Sequence, residues 1–215
     1  MKKFIETIKN IWNIEDLRFR ILTSLGLILI YRVGSYIVLP GIDPANLDDL
    51  SAQGQQGVLG IFNLFAGGAF GRASVFALGI MPYISASIAM QLLSLAVPYF
   101  QKLQKEGESG RNKINQITRY LTVVITAFQA SAYVVNLRSL ESDAIVVGPT
   151  IFWISTLVVL TAGTIFVMWI GERMTDKGIG NGISILIMIG IIANLPSALL
   201  AEFELKLGST GLVAF

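Results

Sequence analysis

The sequence lacks two of the side chains that most often carry chemistry. It contains no cysteine and no histidine, so disulfides, thiol-ligated metals and His-ligated metals are excluded. Nucleophiles that depend on a histidine base are excluded for the same reason. Two short glycine-containing stretches, residues 107–110 and 178–182, lack the spacing of a nucleophile elbow or a dinucleotide-binding loop. We therefore expect a protein that is not an enzyme and that needs no cofactor.

Charged residues are also scarce, and their scarcity indicates a membrane protein. Only 14% of the residues are charged and 53% are hydrophobic, whereas a soluble domain carries about 25% charged residues. Continuous apolar runs occupy residues 21–39, 76–97, 120–137, 151–170 and 183–200. Each run approaches the ~17 to 25 residues that a spanning helix needs. The sequence therefore predicts an all-α integral membrane protein with five transmembrane helices.

Basic residues indicate the orientation of these helices. One set of connecting segments holds Lys2, Lys3, Lys9, Arg18, Arg20, Lys102, Lys105, Arg111, Lys113, Arg119, Arg173 and Lys177, and the other holds only Arg72, Arg138 and Lys206. Acidic residues divide evenly between the two sides, so the asymmetry is the Lys/Arg bias that sets topology. We expect a cytoplasmic N-terminus and an external C-terminal end.

The two ends of the chain have patterns of their own. Residues 1–20 place apolar side chains at helical spacing with charges opposite, which is typical of an amphipathic helix at the cytoplasmic interface. The first apolar run shows no cleavage pattern, so we expect it to be retained. Arg32, within that run, is expected to extend to the outer interface, with pairing inside the bundle as the alternative. Residues 201–215 follow the fifth apolar run and are expected to lie on the external side.

An apolar, glycine-rich segment precedes the second predicted helix. This glycine-rich segment, residues 60–72, begins with "GIFNLFAGGAF" and follows a loop rich in turn-forming residues. It is too short to cross a bilayer, and an apolar segment of this length is typical of re-entrant or interfacial backbone. Irregular backbone at such depth is tolerated where it is buried in protein or lines a cavity. The segment therefore predicts a cavity open to the outside.

Two pairs of isoleucines are candidates for the wall of that cavity. Ile80 and Ile84 lie four residues apart on one face of the second helix, and Ile183 and Ile187 do so on the fifth. Lipid or helix contact is the simpler interpretation, because such pairs are common in membrane helices. Polar side chains also recur in the second helix, at Ser85, Ser87, Gln91 and Ser94. They either join helices or line a surface that is sometimes wet.

Four motifs resemble the SecY family, the pore-forming subunits of the Sec protein-translocation channel. In order, they are "YRVGSYIVLPGID", "IFNLFAGGAFGRASVFALGIMPYISASI", "KEGESGRNKINQITRY" and "GERMTDKGIGNGIS". They run from the first predicted helix to the fifth and so cover essentially the whole chain. The resemblance implies the N-terminal half of a ten-helix channel whose two halves form an inverted repeat. The second half is not in this sequence, so the resemblance implies that residues 201–215 are an external hinge loop that is truncated.

The resemblance also implies roles for the residues singled out above. A short plug helix in this family closes the channel from the outside beneath a ring of apolar residues, here Ile80, Ile84, Ile183 and Ile187. Gln91 falls on the lateral-gate face of the second helix. The plug residues are Gly60, Ile61, Phe62, Asn63, Leu64, Phe65, Ala66, Gly67, Gly68, Ala69, Phe70, Gly71 and Arg72. A competing interpretation of Gly67 and Gly71 is a G-x-x-x-G dimerisation pair.

Partners follow from the same resemblance. They are SecE-like and SecG-like membrane subunits, a SecA-like ATPase and a ribosome at the cytoplasmic face of a bacterial inner membrane, and nascent secretory and membrane-protein chains. Arg111, Lys113 and Arg119 are candidates for the ATPase or ribosome contact, although topology alone places basic residues there. The net charge of +2 argues against nucleic acid as a partner. The alternative function is a self-contained five-helix protein that dimerises as a small-solute pore or an assembly scaffold.

Overall fold

The structure is a computed structural model that describes residues 12–44, 47, 57–140 and 144–209. These residues form seven α-helices joined by turns, so the all-α prediction is confirmed. Most of the helix predicted over residues 1–20, and the last residues of the predicted hinge loop, lie outside the described residues. The helices are α1 (Glu15–Gly34), α2 (Gly57–Phe65), α3 (Met81–Ala96), α4 (Pro98–Lys105), α5 (Glu108–Leu140), α6 (Pro149–Lys177) and α7 (Gly182–Ser209).

Short sequence signals set two of the helix boundaries. Pro98 separates α3 from α4, because proline disfavours a helical conformation in the residue before it. Val97 is accordingly extended, with φ −106° and ψ 121°, and the two helices are bent by 98°. Asn181 caps the start of α7, since its Oδ1 accepts the backbone N–H groups of Ile183 (3.0 Å) and Ser184 (3.2 Å).

Three of the described helices are long and apolar enough to span a membrane. They are α5, α6 and α7, and the bent pair α3 and α4 makes a fourth crossing if it is counted as one. α1, which carries Arg18, Arg20 and Arg32, falls outside this set. Helices of this kind support the membrane class, whereas the predicted count of five crossings stays a prediction.

The second apolar run is only partly helical, because α3 begins at Met81 rather than at residue 76. Residues 66–80 form successive turns, here called the turn region, with positive φ at Gly67, Gly68, Ala73 and Gly79. A positive φ does not continue a right-handed helix. Hydropathy does not register this conformation, so the apolar run overestimates the length of the helix.

The first apolar run also divides into two conformations. α1 ends at Gly34, and residues 37–39 then pair with residues 73–75. Leu39 N donates to Ala73 O over 2.8 Å, and Val75 N donates to Ile37 O over 2.9 Å. The end of this run therefore satisfies the backbone polar groups of the turn region, as a polar backbone inside an apolar environment requires.

α6 is the central helix of the described fold and packs against α1, α5 and α7. Two hydrophobic clusters adjoin it. The α5 cluster is built around Phe70, Tyr133, Leu137 and Phe152. The α1 cluster consists of Leu27, Tyr31, Phe76, Ile80, Val167, Met168, Ile170, Met174 and Leu186. The turn region contributes side chains to both clusters, so it connects the two halves of the core.

Glycines in α1 and α6 let these helices approach the turn region closely. A Cβ added at Gly163 of α6 would overlap the carbonyl oxygen of Val75, and one added at Gly34 would overlap the ring of Phe76. Only glycine permits such an approach without displacing a neighbour. The turn region is therefore held between α1 and α6.

We predict that Gly163→Ala destabilises the complete protein by about 1 to 3 kcal/mol, because the added methyl group meets backbone that cannot rotate away. Gly26→Ala in α1 is the matched control, since a Cβ there has no neighbour within 4 Å. Thermal unfolding of both variants in detergent measures the effect. Equal melting temperatures for the two variants would contradict the packing described here.

Candidate functional site

The end of α2 is a sharp turn that Asn63 and two glycines make possible. Gly67 and Gly68 have φ of 64° and 82°, a left-handed conformation that glycine adopts without strain. Gly68 N donates to Asn63 O over 2.8 Å, and Gly71 N donates to Asn63 Oδ1 over 2.9 Å. Asn63 O is one of the carbonyl groups that the end of a helix leaves without a partner in the helix, and Gly68 N supplies its donor, while the Asn63 side chain holds Gly71 N. The glycine-rich segment reverses direction at this point.

Two tyrosines from different helices anchor the backbone that follows. Tyr133 of α5 is buried, and its hydroxyl donates to Phe70 O over 2.8 Å. The rings of Tyr133 and Phe70 also make an edge-to-face contact with centroids 4.9 Å apart. The hydroxyl of Tyr31 in α1 reaches Ala66 O at 3.5 Å, which is a weak contact by its length. The glycine-rich segment is therefore attached to both flanking helices through its carbonyl groups.

Gly190, in α7, receives the end of α2. A Cβ on Gly190 would lie 2.6 Å from Phe65 O, and a Cβ on Gly67 would lie 3.1 Å from Gly190 Cα. The two backbones approach this closely because neither glycine carries a side chain. This contact within the chain accounts for Gly67 without a second copy of the protein. The glycine-rich segment packs directly on the helix that carries Ile183 and Ile187.

The four isoleucines predicted for the apolar ring lie in or against the α1 cluster. Ile80 belongs to the cluster and is only 2% exposed, whereas Ile84, Ile183 and Ile187 are half-buried and pack against it. α3 and α7 are distant in the sequence, but both lie beside α6. The structure therefore places the four side chains in or against one apolar cluster. Their arrangement as a ring around a pore stays a prediction.

Gln91 lies on an exposed face of α3. Its Nε2 donates to Ser87 Oγ over 3.4 Å, a long bond along the same helix. The neighbouring side chains of Ile88 and Leu92 are exposed as well. Ser94, by contrast, is buried, and its hydroxyl donates to Met90 O over 2.7 Å. The exposed face of α3 thus mixes amide and apolar side chains, and its role in a lateral gate stays a prediction.

The three basic residues predicted to contact a cytoplasmic partner lie in different environments. Arg111 and Lys113 are exposed in the first turns of α5, and Lys113 Nζ is 3.9 Å from Glu106 Oε2. Arg119 is engaged within the fold: its Nε and Nη2 donate to the two carboxylate oxygens of Glu172 over 2.9 and 2.7 Å. This two-point ion pair links α5 to α6. Arg111 and Lys113 therefore have more freedom to meet a partner.

Arg32 contacts the glycine-rich segment, in keeping with the alternative of pairing inside the bundle. Its Nη1 approaches Gly67 O at 3.4 Å, and its guanidinium carbon lies 5.7 Å from the centre of the Tyr36 ring. Tyr31, Tyr133 and Gly190 also hold the glycine-rich segment, although the sequence reasoning assigned them no role. A tyrosine in an apolar run needs a partner for its hydroxyl, and a glycine inside a helix indicates close packing. These signals could have identified them.

The fold and this site define an all-helical membrane protein in which a glycine-rich segment is packed among long helices beside an apolar cluster. A sequence profile of the SecY family matches residues 74–214, which is more than half of the chain. The chain therefore belongs to the SecY family.

Curated relatives agree with this assignment. The protein translocase subunit SecY of Rickettsia typhi is 46% identical over 195 residues, 89% of this chain and 45% of the relative. SecY of Vibrio cholerae is 47% identical over 186 residues, which are 86% of this chain and 42% of the relative. SecY of Escherichia coli is 47% identical over 191 residues, which are 88% of this chain and 43% of the relative. The chain spans less than half the length of these relatives.

We predict that Tyr133→Phe destabilises the complete protein by about 1 to 3 kcal/mol, because it leaves the buried carbonyl of Phe70 without its donor. Tyr120→Phe in the same helix is the matched control, since Tyr120 is 73% exposed. That variant is expected to change stability by less than about 0.5 kcal/mol. Denaturant unfolding in detergent measures the free energy of unfolding of both variants. An unchanged free energy for Tyr133→Phe would refute the anchoring role of the hydroxyl.

Proposed function

We propose that this chain supplies the N-terminal half of the pore-forming subunit of the Sec translocon. The complete subunit conducts unfolded secretory polypeptides across the membrane and releases transmembrane segments sideways into lipid. The relatives' name, protein translocase subunit SecY, supports this function. The observation within the chain that supports it is that Ile80, Ile84, Ile183 and Ile187 all lie in or against the α1 cluster, beside the glycine-rich segment.

In this proposal, the glycine-rich segment is the plug and the four isoleucines are one side of the pore ring. A narrow apolar ring excludes water and ions when it is closed, and its flexible side chains can seal around a passing chain. The spanning part of α7 is only 12% buried, and Met188 is 50% exposed on it. This surface is free to face the other half of the channel. Gln91 lies on the gate face of α3, where Ile88 and Leu92 are available to an apolar segment that leaves the pore.

The proposed partners lie within the bacterial inner membrane and at its cytoplasmic face, which the basic residues indicate. SecE-like and SecG-like subunits lie beside the channel, and a SecA-like ATPase or a ribosome supplies the energy at the cytoplasmic face, where the N-terminus lies. Arg111 and Lys113 are exposed at the start of α5 and are the better candidates for that contact. Arg119 is the weaker candidate, because Glu172 occupies its guanidinium. No step of this transport requires catalysis by the chain itself.

Site-directed crosslinking tests the pore assignment. A photo-reactive residue is placed at Ile84 or at Ile187 of the complete protein in native membranes while a secretory chain is stalled during translocation. We expect both positions to crosslink to the nascent chain, because both side chains belong to the proposed ring. Ile154 in α6 is the matched control, since its side chain is 52% exposed away from the α1 cluster. It is expected to crosslink to lipid or to other subunits instead.

The opposite result is equally informative. Crosslinks from Ile84 and Ile187 to lipid alone, in vesicles where translocation is active, would place both residues against the bilayer. The pore assignment would then be wrong. Equal crosslinking of the nascent chain at Ile154 would also contradict it, because a passing chain would then contact a surface remote from the proposed ring.

A further inference from the structure

Two arginines from different parts of the chain meet at one carbonyl oxygen. Arg72 Nη2 donates to Gly67 O over 2.9 Å, and Arg32 Nη1 approaches the same oxygen at 3.4 Å. Arg32 lies in the last turn of α1, whereas Arg72 follows the turn that ends α2. One main-chain oxygen thus receives cationic donors from two sides.

The position of this oxygen explains why it attracts cations. Gly67 lies two residues beyond the end of α2, and the last carbonyl groups of a helix have no partners within the helix. They also form the negative end of the helix dipole, where Arg and Lys are favourable. The left-handed conformation of Gly67 reverses the chain at this point. The two guanidinium groups therefore lie beside the C-terminal end of α2, where positive charge is favourable.

Arg72 does more than neutralise this end, because it bridges two backbone segments. Its Nε approaches Ser35 O at 3.4 Å while its Nη2 holds Gly67 O. Its guanidinium carbon also lies 4.5 Å from the centre of the Tyr36 ring, within the range of a cation–π contact. A guanidinium has donors in a fixed fork that can reach two acceptors, whereas a lysine ammonium is a compact point charge. Arg72 thus connects the end of α1 to the end of α2.

The two arginines are favourable neighbours only while an acceptor lies between them. Within the described ranges, neither forms a salt bridge with an acidic side chain. Like charges repel each other more strongly where water is partly excluded. If the segment moved away as a unit, Arg32 would lose this oxygen, and Arg72, which belongs to the segment, would lose Ser35 O and the Tyr36 ring. The arrangement therefore favours one position of the glycine-rich segment.

We propose that Arg32 and Arg72 form an arginine clamp that positions the glycine-rich segment against α7, with Arg72 as the principal member. The clamp acts on Gly67, which also makes the close backbone contact with Gly190 of α7. Because Arg72 belongs to the segment, displacement of the whole segment from α7 breaks the contacts of Arg72 with Ser35 O and the Tyr36 ring, and the contact of Arg32 with Gly67 O. The inference deepens the proposed function and rests on it, since it assigns the residues that keep the plug closed.

Thiol labelling tests the clamp without any translocating chain. The described sequence contains no cysteine, so Ala66→Cys provides a single probe once any other cysteine of the complete protein is replaced. Ala66 is 1% exposed and adjoins Gly67. A water-soluble maleimide is added to both faces of permeabilised native membranes, and the labelling rate is measured. This rate follows the population in which the segment has opened.

We expect Arg72→Gln to raise the labelling rate at Ala66→Cys about tenfold, which corresponds to about 1.4 kcal/mol. Arg72→Lys is expected to label at an intermediate rate, because it keeps the charge and loses the two-carbonyl bridge. Arg32→Gln is expected to have a smaller effect than Arg72→Gln, since Arg32 makes one long hydrogen bond to the segment, whereas Arg72 contacts both Ser35 O and the Tyr36 ring. Arg138→Gln is the matched control, an exposed arginine of α5 that leaves the rate unchanged.

A second probe position distinguishes release of the glycine-rich segment from a general loosening of the whole fold. Ala130→Cys lies in α5 at a site that is 0% exposed, and it should label slowly in every variant. Equal increases in the labelling rate at both probes would overturn the clamp. So would a labelling rate at Ala66→Cys that Arg72→Gln or Arg72→Lys leaves the same as in the protein with Arg72. Arg72→Lys keeps the test decisive if Arg72→Gln does not accumulate in the membrane. Failure of the crosslinking at Ile84 and Ile187 would refute the pore and leave these rates unaffected.

Discussion

The close approach of an irregular backbone to long helices is the constraint on which the rest of this structure depends. Phe65 O lies against Gly190 of α7, and Val75 O lies against Gly163 of α6. Polar backbone cannot remain without partners in an apolar environment. The chain satisfies it with a small set of donors, among them the hydroxyl of Tyr133 and the guanidinium of Arg72. Glycines supply the space, and these side chains supply the hydrogen bonds.

This constraint also determines where the isoleucines lie. The turns of residues 66–80 are fixed between α1 and α6, so α3 begins at Met81 in a defined position. Ile80 is then buried in the α1 cluster, and Ile84 follows one helical turn later. On the other side, Asn181 caps α7 and so fixes Ile183 at its start. The apolar cluster is therefore assembled by polar and glycine contacts at its edges rather than by the isoleucines alone.

The sequence predicted some of these features better than others, for physical reasons. Long apolar runs reliably indicate α5, α6 and α7, because hydropathy measures what a spanning helix needs. The positive φ of Gly79 and Ala73 is a backbone property that hydropathy does not register, so the start of α3 was predicted too early. The environment of Arg32 depends on Gly67, which is distant in the sequence. No local pattern could have placed these two residues together.

The two kinds of contact at the glycine-rich segment have different consequences for movement. Apolar contacts are non-directional, and side chains such as Ile84 and Ile187 can exchange one apolar neighbour for another at little cost. Hydrogen bonds to Phe70 O and Gly67 O are directional, and a carbonyl that loses its donor in an apolar environment is costly until it finds another. In the proposed channel, the barrier to opening therefore lies in a few polar contacts at the segment. In that proposal, the apolar ring would supply the seal, and the polar contacts would determine how readily the glycine-rich segment leaves it.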